Sequence, residues 1–408
     1  MKFNQWTLGL AAVGVVSLAS VVQAEEAIKA SSVMTALSST TLSGYVDTSA
    51  QWNLGTGNAF NPGYAFGGPG KADGFNLNVV KVTLEKPADA AEGWAAGYKV
   101  DLLFGPDANA LATQSSGVRA DFGVKQAYVD LKAPVGNGLD IKVGVFDTIL
   151  GYEVFESGNN PNFTRSYGYT IEPTTHTGVL LSYQFCDAIG VSAGVANTFG
   201  PVINARAFPN GGFSAGTKAE SYKTYMGSIS LTAPKEWDFI AGSTLYGGVI
   251  NGFNAASVNT GGASDQTSFY VGSTLNTPLK TLKVGVAYDY AGVSKQPSAA
   301  GSGFANAVSL YGTFAVTEKM SLNGRAEYFS QSKGQAIATL PSEVFALTGT
   351  LQYDLWKNVI SRLEIRWDHQ LDGIGHAYGA PSTSLLSDAL GGSRRNAYEI
   401  IANVIYKF

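Results

Sequence analysis

Apolar and polar residues alternate along many short segments of this chain. From Leu42 to Leu54 the even positions are Leu, Gly, Val, Thr, Ala, Trp and Leu, and the odd positions are Ser, Tyr, Asp, Ser, Gln and Asn. Residues 94–104 repeat this alternation, and within 359–368 an apolar set alternates with Arg, Glu, Arg and Asp. A period of two places successive side chains on opposite faces of a β-strand. The pattern therefore predicts strands with one apolar and one polar face.

Short turns and long loops alternate between these segments. Residues 187–188 and 318–319 are short turns, whereas 55–74 and 148–176 are long connections. Short turns on one side and long loops on the other are typical of bacterial outer-membrane barrels. The predicted strands are residues 42–54, 75–86, 94–104, 121–133, 139–147, 177–186, 189–198, 220–232, 237–250, 267–276, 281–292, 306–317, 320–331, 343–354, 358–369 and 396–408.

The fold class that follows is all-β: a closed transmembrane antiparallel β-barrel of about 16 strands, with short periplasmic turns and long extracellular loops. In hydrocarbon every backbone N–H and C=O needs a partner within the protein, so a membrane sheet must close on itself. A large soluble β-sandwich or barrel is the alternative, and the alternating lengths of the connections argue against it. A barrel of fourteen or eighteen strands also fits the pattern, because strand boundaries read from sequence are imprecise.

The N-terminus has the features of a secretory signal. Lys2 precedes an apolar run over residues 8–16, and Val22-Gln23-Ala24 forms a small-residue cleavage site. The alternative is a membrane anchor, but this run is shorter than the roughly 20 residues that span a bilayer core. We predict a cleaved signal peptide over residues 1–24, a periplasmic lead-in segment over 25–40 and the barrel over 41–408.

The composition agrees with a surface that partly faces lipid. Charged residues make up 14% of the chain, aromatic residues 12%, and there are 49 glycines, whereas soluble domains are about one quarter charged. The net charge of −4 comes with no basic cluster, so no nucleic-acid partner is expected. Cys186 is the only cysteine, which excludes an internal disulfide framework.

Several segments carry a family resemblance. They are Asp73-Gly74-Phe75-Asn76-Leu77, Gln126-Ala127-Tyr128, Gly144-Val145-Phe146-Asp147-Thr148, Arg165-Ser166-Tyr167 and His176-Thr177-Gly178. The chain resembles the OmpL-like family of bacterial outer-membrane β-barrel porins over most of its mature length. The resemblance implies a barrel in the outer membrane of a Gram-negative bacterium, and it brings no catalytic residues with it.

The lumen is where we expect function. A barrel of about sixteen strands is wide enough for an aqueous channel, and charges of both signs on the inner face indicate weak ion selectivity. By resemblance to sixteen-stranded general porins, the 148–176 loop is expected to fold inward as a constriction, with its carboxylates facing Arg165 and the wall arginines. The alternative is an external loop closed by internal salt bridges. The candidate pore and constriction residues are Glu153, Glu156, Arg165, Glu172, Arg325, Glu327, Arg362, Glu364, Arg366 and Asp368.

The predicted function is an outer-membrane porin for passive diffusion of small polar solutes and ions, either a monomer or a homotrimer, with outer-membrane lipid around it. The alternative is a structural or surface-binding barrel with a plugged lumen. Enzyme activity is not expected, because His176, His369 and His376 have no neighbouring nucleophile pattern. The same three histidines lack metal-ligand spacing, so neither a metal nor a cofactor is predicted.

Overall fold

The protein is a closed antiparallel β-barrel of sixteen strands in a computed structural model. The structure describes residues 39–55, 58–88, 93–115, 120–207, 222–254, 265–294, 302–332, 340–373, 375–381 and 391–408. Each strand pairs with its neighbours in sequence, and the first pairs with the last to close the ring. The predicted fold class is therefore confirmed. The strands are β1 (Thr41–Asn53), β2 (Gly74–Lys86), β3 (Ala95–Phe104), β4 (Phe122–Ala133), β5 (Leu139–Asp147), β6 (Thr175–Cys186), β7 (Ile189–Ala196), β8 (Thr224–Thr232), β9 (Thr244–Phe253), β10 (Asp265–Asn276), β11 (Leu282–Ser294), β12 (Gly303–Ala315), β13 (Met320–Gln331), β14 (Glu343–Trp356), β15 (Val359–Gln370) and β16 (Asn396–Lys407).

Connections at the two rims of the barrel differ in length. At the rim that holds the start of β1 and the end of β16, residues 187–188, 316–319 and 357–358 form short turns. At the opposite rim, residues 148–174 and 371–395 form long connections. We refer to these as the short-turn rim and the long-loop rim. The asymmetry leaves the long connections free to cover or enter one mouth of the barrel.

The turn between β8 and β9 is longer than the sequence predicts. A strand is expected over 237–250, whereas β9 begins at Thr244 and ends at Phe253. Residues Asp238–Ile240 form a 3-10 helix within the turn, with φ of 49° at Asp238 and 76° at Gly242. Positive φ lies outside the β region, so a continuous strand cannot pass through these two positions.

The barrel wall has an apolar outer face and a polar inner face. On β15, Leu363 and Ile365 are 50% and 56% exposed, whereas Arg362, Glu364 and Arg366 between them are at most 3% exposed. The outer face suits lipid, while the closed ladder satisfies the backbone polar groups. Among the residues that the structure describes, no helix is long and apolar enough to span a bilayer.

Two short helices lie in long connections and pack inward. The first, α1 (Pro106–Leu111), buries Leu111 against inner residues of β2 and β3. The second, α2 (Tyr167–Ile171), buries Tyr167 against Phe329 of β13, with 5.2 Å between ring centroids. The connections that carry the two helices therefore occupy part of the lumen.

Replacing Ile365 with arginine is expected to lower the free energy of unfolding. Ile365 lies at the middle of β15 and points outward, and an arginine at the bilayer midplane of a barrel costs about 2–4 kcal/mol. Denaturant titration of refolded protein in lipid vesicles measures the change. Ile365→Leu is the matched control, with an expected change below about 1.5 kcal/mol. Equal stabilities of the two variants would contradict a lipid-facing position.

Candidate pore constriction

Two side-chain hydrogen-bond motifs shape the connection between β5 and β6, residues 148–174. The Asn160 side chain accepts from the Val154 N–H at 2.9 Å and donates to the Val154 carbonyl at 2.7 Å, which closes a turn. The Ser166 hydroxyl accepts from the Tyr169 N–H at 3.0 Å and caps α2. Since His176 lies in β6, the connection is slightly shorter than the predicted 148–176. We call residues 148–174 the inner loop.

Carboxylates of the wall accept hydrogen bonds from the backbone of the inner loop. Glu364 of β15 accepts from the N–H groups of Phe163 at 2.6 Å and Thr164 at 2.9 Å. Glu327 of β13 accepts from the Tyr167 N–H at 2.7 Å. Hydrogen bonds to an ionised acceptor are roughly twice as strong as neutral ones. The two carboxylates therefore hold the loop segment at the start of α2 against the wall.

Arg325 of β13 joins the same segment to the wall. Its guanidinium pairs with Glu153 of the inner loop at 2.9 Å and with Glu327 at 2.8 Å. It also donates to the Thr164 carbonyl at 2.6 Å. Its side chain has no solvent-exposed surface, and a buried charge of this kind needs close partners of opposite sign. Arg325 therefore stabilises the docked loop through both charge and hydrogen bonding.

Arg366 of β15 forms a second connection between wall and loop. It pairs with Asp368 at 2.8 Å and donates to the Arg165 carbonyl at 2.8 Å. Asp368 in turn accepts from the Tyr167 hydroxyl at 2.7 Å. The guanidinium carbon lies 4.1 Å from the ring centroid of Tyr64, which adds a cation–π contact.

Arg165 does not face the loop carboxylates as the sequence suggests. Its guanidinium donates to the carbonyls of Phe163, at 2.6 Å, and of Phe155. It also lies over the rings of Phe66, at 5.5 Å, and Tyr169, at 5.7 Å. Backbone carbonyls within the loop satisfy this arginine, so it organises the loop from inside.

Glu156 pairs with lysines rather than with the predicted arginines. It contacts Lys81 of β2, and it lies 3.2 Å from the amine of Lys125 of β4. Burial alone would raise the pKa of Glu156, but the charges of Lys125 and Lys81 outweigh burial and hold that pKa well below its usual range. The inner loop is therefore charge-paired to β2 and β4 as well as to β13 and β15.

The two remaining candidates, Arg362 and Glu172, make further contacts. Arg362 donates to the Ser157 carbonyl at 2.8 Å and to the Gln352 side chain at 3.1 Å. Glu172 follows α2 and contacts another carboxyl, that of Asp289 on β11. Burial, followed by the charge of Asp289, raises the pKa of Glu172 well above its usual range.

The start of the inner loop packs against an apolar part of the wall. Ile149 and Leu150 join a buried cluster with inward residues of β5 to β12. Tyr152 stacks on Tyr311 of β12, with ring centroids 4.1 Å apart. A pocket that is partly open to solvent lies beside this segment and is lined by residues that include Lys125 and Asp147. The inner loop thus contacts apolar and charged parts of the wall across the lumen.

Residues of other long connections also join this site, although the alternation of apolar and polar residues does not mark them as part of it. In the connection between β1 and β2, the Tyr64 hydroxyl donates to Glu399 at 2.8 Å, and the Phe66 ring lies 5.1 Å from that of Phe155. Tyr378, between β15 and β16, is 2% exposed. Isolated aromatic residues within otherwise polar loops are the sequence signal that could have indicated them.

The histidines do not form a metal or catalytic cluster in the part of the chain that the structure describes. His176 contacts the Thr148 hydroxyl at 3.4 Å, and His369 contacts the Asn396 side chain at 2.9 Å. Among the described residues, no group of three or more His, Cys, Asp or Glu side chains could hold a metal ion. The candidate site is therefore a charged inner wall with the folded inner loop docked against it.

A closed barrel of sixteen strands, with charged inner walls and an inward-folded loop, defines the class of outer-membrane porin-like barrels. The family model described as "Putative beta-barrel porin-2, OmpL-like" matches residues 39–400, and the chain belongs to this family. The predicted resemblance is thereby confirmed. No curated protein is significantly similar to the chain in sequence.

Solved structures of other outer-membrane proteins share the fold at low sequence identity. An anion-selective porin from Comamonas acidovorans is 13% identical, with a TM-score of 0.60 over 91% of this chain and 99% of that one. The outer membrane channel DcaP of Acinetobacter baumannii is 12% identical, with a TM-score of 0.57 over 90% and 97% of the two chains. OmpT of Vibrio cholerae is 14% identical, with a TM-score of 0.53 over the same shares. At these identities the likeness shows the fold alone.

Proposed function

We propose that this protein is a porin whose water-filled channel lets small polar solutes and ions diffuse across the outer membrane, with the inner loop as its constriction. The observation that carries the proposal is the docking of the loop inside the barrel by Glu327, Glu364 and Arg325. In this proposal, a loop held in this way narrows the lumen and leaves a passage between the loop and the rest of the wall. The family model and the porin-like neighbours support the same function.

The charged residues of the lumen take two roles in this proposal. Arg325, Glu327, Glu364, Arg366 and Asp368 hold the loop, since they are fully buried or nearly so and bond to it or to one another. Charges nearer the short-turn rim are more exposed and would meet the passing solute. Lys132 and Asp140, for example, keep 35% and 21% of their side-chain surface exposed. Charges of both signs there favour weak ion selectivity.

Shortening the inner loop is expected to increase single-channel conductance severalfold. The variant joins Val154 to Pro173 through a short Gly-Ser segment, which removes the Thr164 carbonyl that Arg325 binds and the N–H groups that Glu364 and Glu327 bind. The measurements are conductance in planar bilayers and liposome swelling with sugars of graded size. Wild-type protein is expected to admit small sugars, and the shortened variant larger ones. Equal size limits for the two proteins would contradict the constriction.

A barrel with a plugged lumen is the second candidate function. The complete burial of the Arg325 and Arg366 side chains favours it, because charges that line an open path would contact water. The same swelling assay separates the two functions. A plugged barrel gives no swelling in the wild-type protein, and swelling only after the loop is shortened.

Export and assembly complete the proposal. We infer that residues 1–24 are a cleaved signal peptide, that 25–40 lie in the periplasm and that 41–408 form the barrel; residues 1–38 lie outside the described part of the chain. The subunit is either a monomer or a homotrimer, and one solved structure of OmpT is described as a trimer form. N-terminal sequencing of mature protein and its mass in detergent test these two points.

A further inference from the structure

Two carboxyl groups meet inside the barrel without a cation between them. Glu172, the residue after α2, contacts Asp289, an inward residue of β11 that is 2% exposed. The charges that act on the pair are those of two further carboxylates, Glu153 and Glu327. Arg325 pairs with both Glu153 and Glu327. The contact therefore joins two acids in a field that is itself negative.

Glycines at two positions make this approach possible. A Cβ at Gly168 of α2 would overlap the Asp289 carboxylate, and a Cβ at Gly151 would overlap that of Glu172. Gly151 also has φ of 118°, which side-chain-bearing residues rarely adopt. The backbone of the inner loop thus packs directly on both carboxyl groups. Charge repulsion at this contact would act on the loop itself.

A hydrogen bond between two carboxyl groups requires one shared proton. The O–H of the protonated group donates to a carboxylate oxygen of the other, and the bond is lost when both groups are ionised, because two negative charges then repel. We propose that Glu172 and Asp289 form a proton-dependent latch, which holds the end of the inner loop against β11 and makes channel conductance depend on pH. The conductance part of this inference rests on the proposed porin function.

The surroundings of the latch leave few other groups to explain a pH response. No lysine or arginine among the described residues forms an ion pair with either carboxyl group. Tyrosine hydroxyls are uncharged below about pH 10. The titratable and charged groups that face or adjoin the pair are Glu153 and Tyr152 of the inner loop, Tyr246 of β9, Tyr270 of β10, Tyr311 of β12, and Arg325 and Glu327 of β13.

The direction of the response follows from the raised pKa of Glu172, which burial and Asp289 cause. A carboxyl group whose pKa is raised in the docked state stabilises that state at low pH, and this stabilisation is lost as pH rises through the raised value. The inner loop is therefore expected to be docked at acidic pH. At alkaline pH its 167–174 segment moves away from β11, and the channel conducts more.

The test compares wild-type protein with Glu172→Gln in planar bilayers between about pH 5 and about pH 9, a range that starts above the ordinary carboxyl pKa values of about 4. The amide of the variant donates to Asp289 at every pH, so conductance is expected to stay at the low-pH level of the wild type. Glu318→Gln is the matched control, because it removes an exposed carboxylate in the short turn between β12 and β13. The control is expected to keep the wild-type pH response. A response in Glu172→Gln equal to that of the wild type would overturn the latch.

Infrared difference spectroscopy gives a readout that does not depend on conductance. The wild-type spectrum minus that of Glu172→Gln is expected to show one protonated carboxyl band that disappears as pH rises. Absence of this band overturns the latch even if the channel conducts. A band that titrates in a protein that never conducts supports the shared proton, and then the porin function and the conductance effect fail.

Discussion

Replacing Arg325 with methionine is expected to release the inner loop and to destabilise its docked state by about 3–5 kcal/mol. The substitution leaves Glu153 and Glu327 buried without the cation that now lies 2.9 and 2.8 Å from them. It also removes the hydrogen bond at 2.6 Å to the Thr164 carbonyl. The barrel itself is expected to persist, because its ladder closes independently of this side chain.

Limited proteolysis measures the release. When opening precedes cleavage, the cleavage rate follows the open population, so a loss of this size increases the rate by about two to nearly four orders of magnitude. Arg395→Met is the matched control, since Arg395 is exposed and, among the described residues, donates to carbonyls of its own long connection. An unchanged cleavage rate in Arg325→Met would contradict the anchoring role.

Removing the two carboxylates that Arg325→Met leaves unpaired tests whether their charge causes the release of the inner loop. In the triple variant Arg325→Met, Glu153→Gln and Glu327→Gln, no uncompensated carboxylate remains at this contact. Replacement of all partners of a buried ion pair is often close to neutral, whereas removal of one partner is strongly destabilising. The triple variant is therefore expected to recover most of the protection. Cleavage as fast as in the single variant would show that the hydrogen bonds matter more than the charges.

Alternation along the chain was sufficient to predict the barrel and the inner-facing charges. A strand in a membrane wall has lipid on one side and the lumen on the other, so each residue's face follows from its parity in the strand. Their parity predicts that Arg362, Glu364 and Arg366 face the lumen, and the structure buries them on the inner face. The prediction failed at 237–250, where positive φ at Asp238 interrupts the strand without disturbing the apolar pattern.

The partners of those charges could not be predicted, because they depend on how a long connection folds. Arg165 and Arg362 donate to backbone carbonyls, which every residue carries, so no sequence pattern marks them. Glu156 pairs with lysines of β2 and β4, at positions distant along the chain. The contact between Glu172 and Asp289 could not be predicted either, because two carboxylates ordinarily repel each other.

Reversing Arg362 and Arg366 to glutamate is expected to shift selectivity toward cations and to increase conductance. Both arginines bind carbonyls of the inner loop, those of Ser157 at 2.8 Å and of Arg165 at 2.8 Å. Their loss weakens loop docking, and at position 366 a new carboxylate would lie beside Asp368. Repulsion between these groups adds to the weakening.

Selectivity is separated from loop release by comparing this variant with Arg362→Met and Arg366→Met combined. Each reversal changes the lumen charge by two negative units and each methionine by one, so the totals are four and two. Both variants are expected to conduct more than the wild type, because both lose the contacts with the loop. If the reversal potential scales with wall charge, its shift in a salt gradient is expected to be about twice as large for the glutamate pair as for the methionine pair. Arg395→Glu, at an exposed position of the 371–395 connection, is expected to leave the reversal potential unchanged. Equal reversal potentials for the glutamate and methionine pairs would show that permeating ions do not pass these two positions.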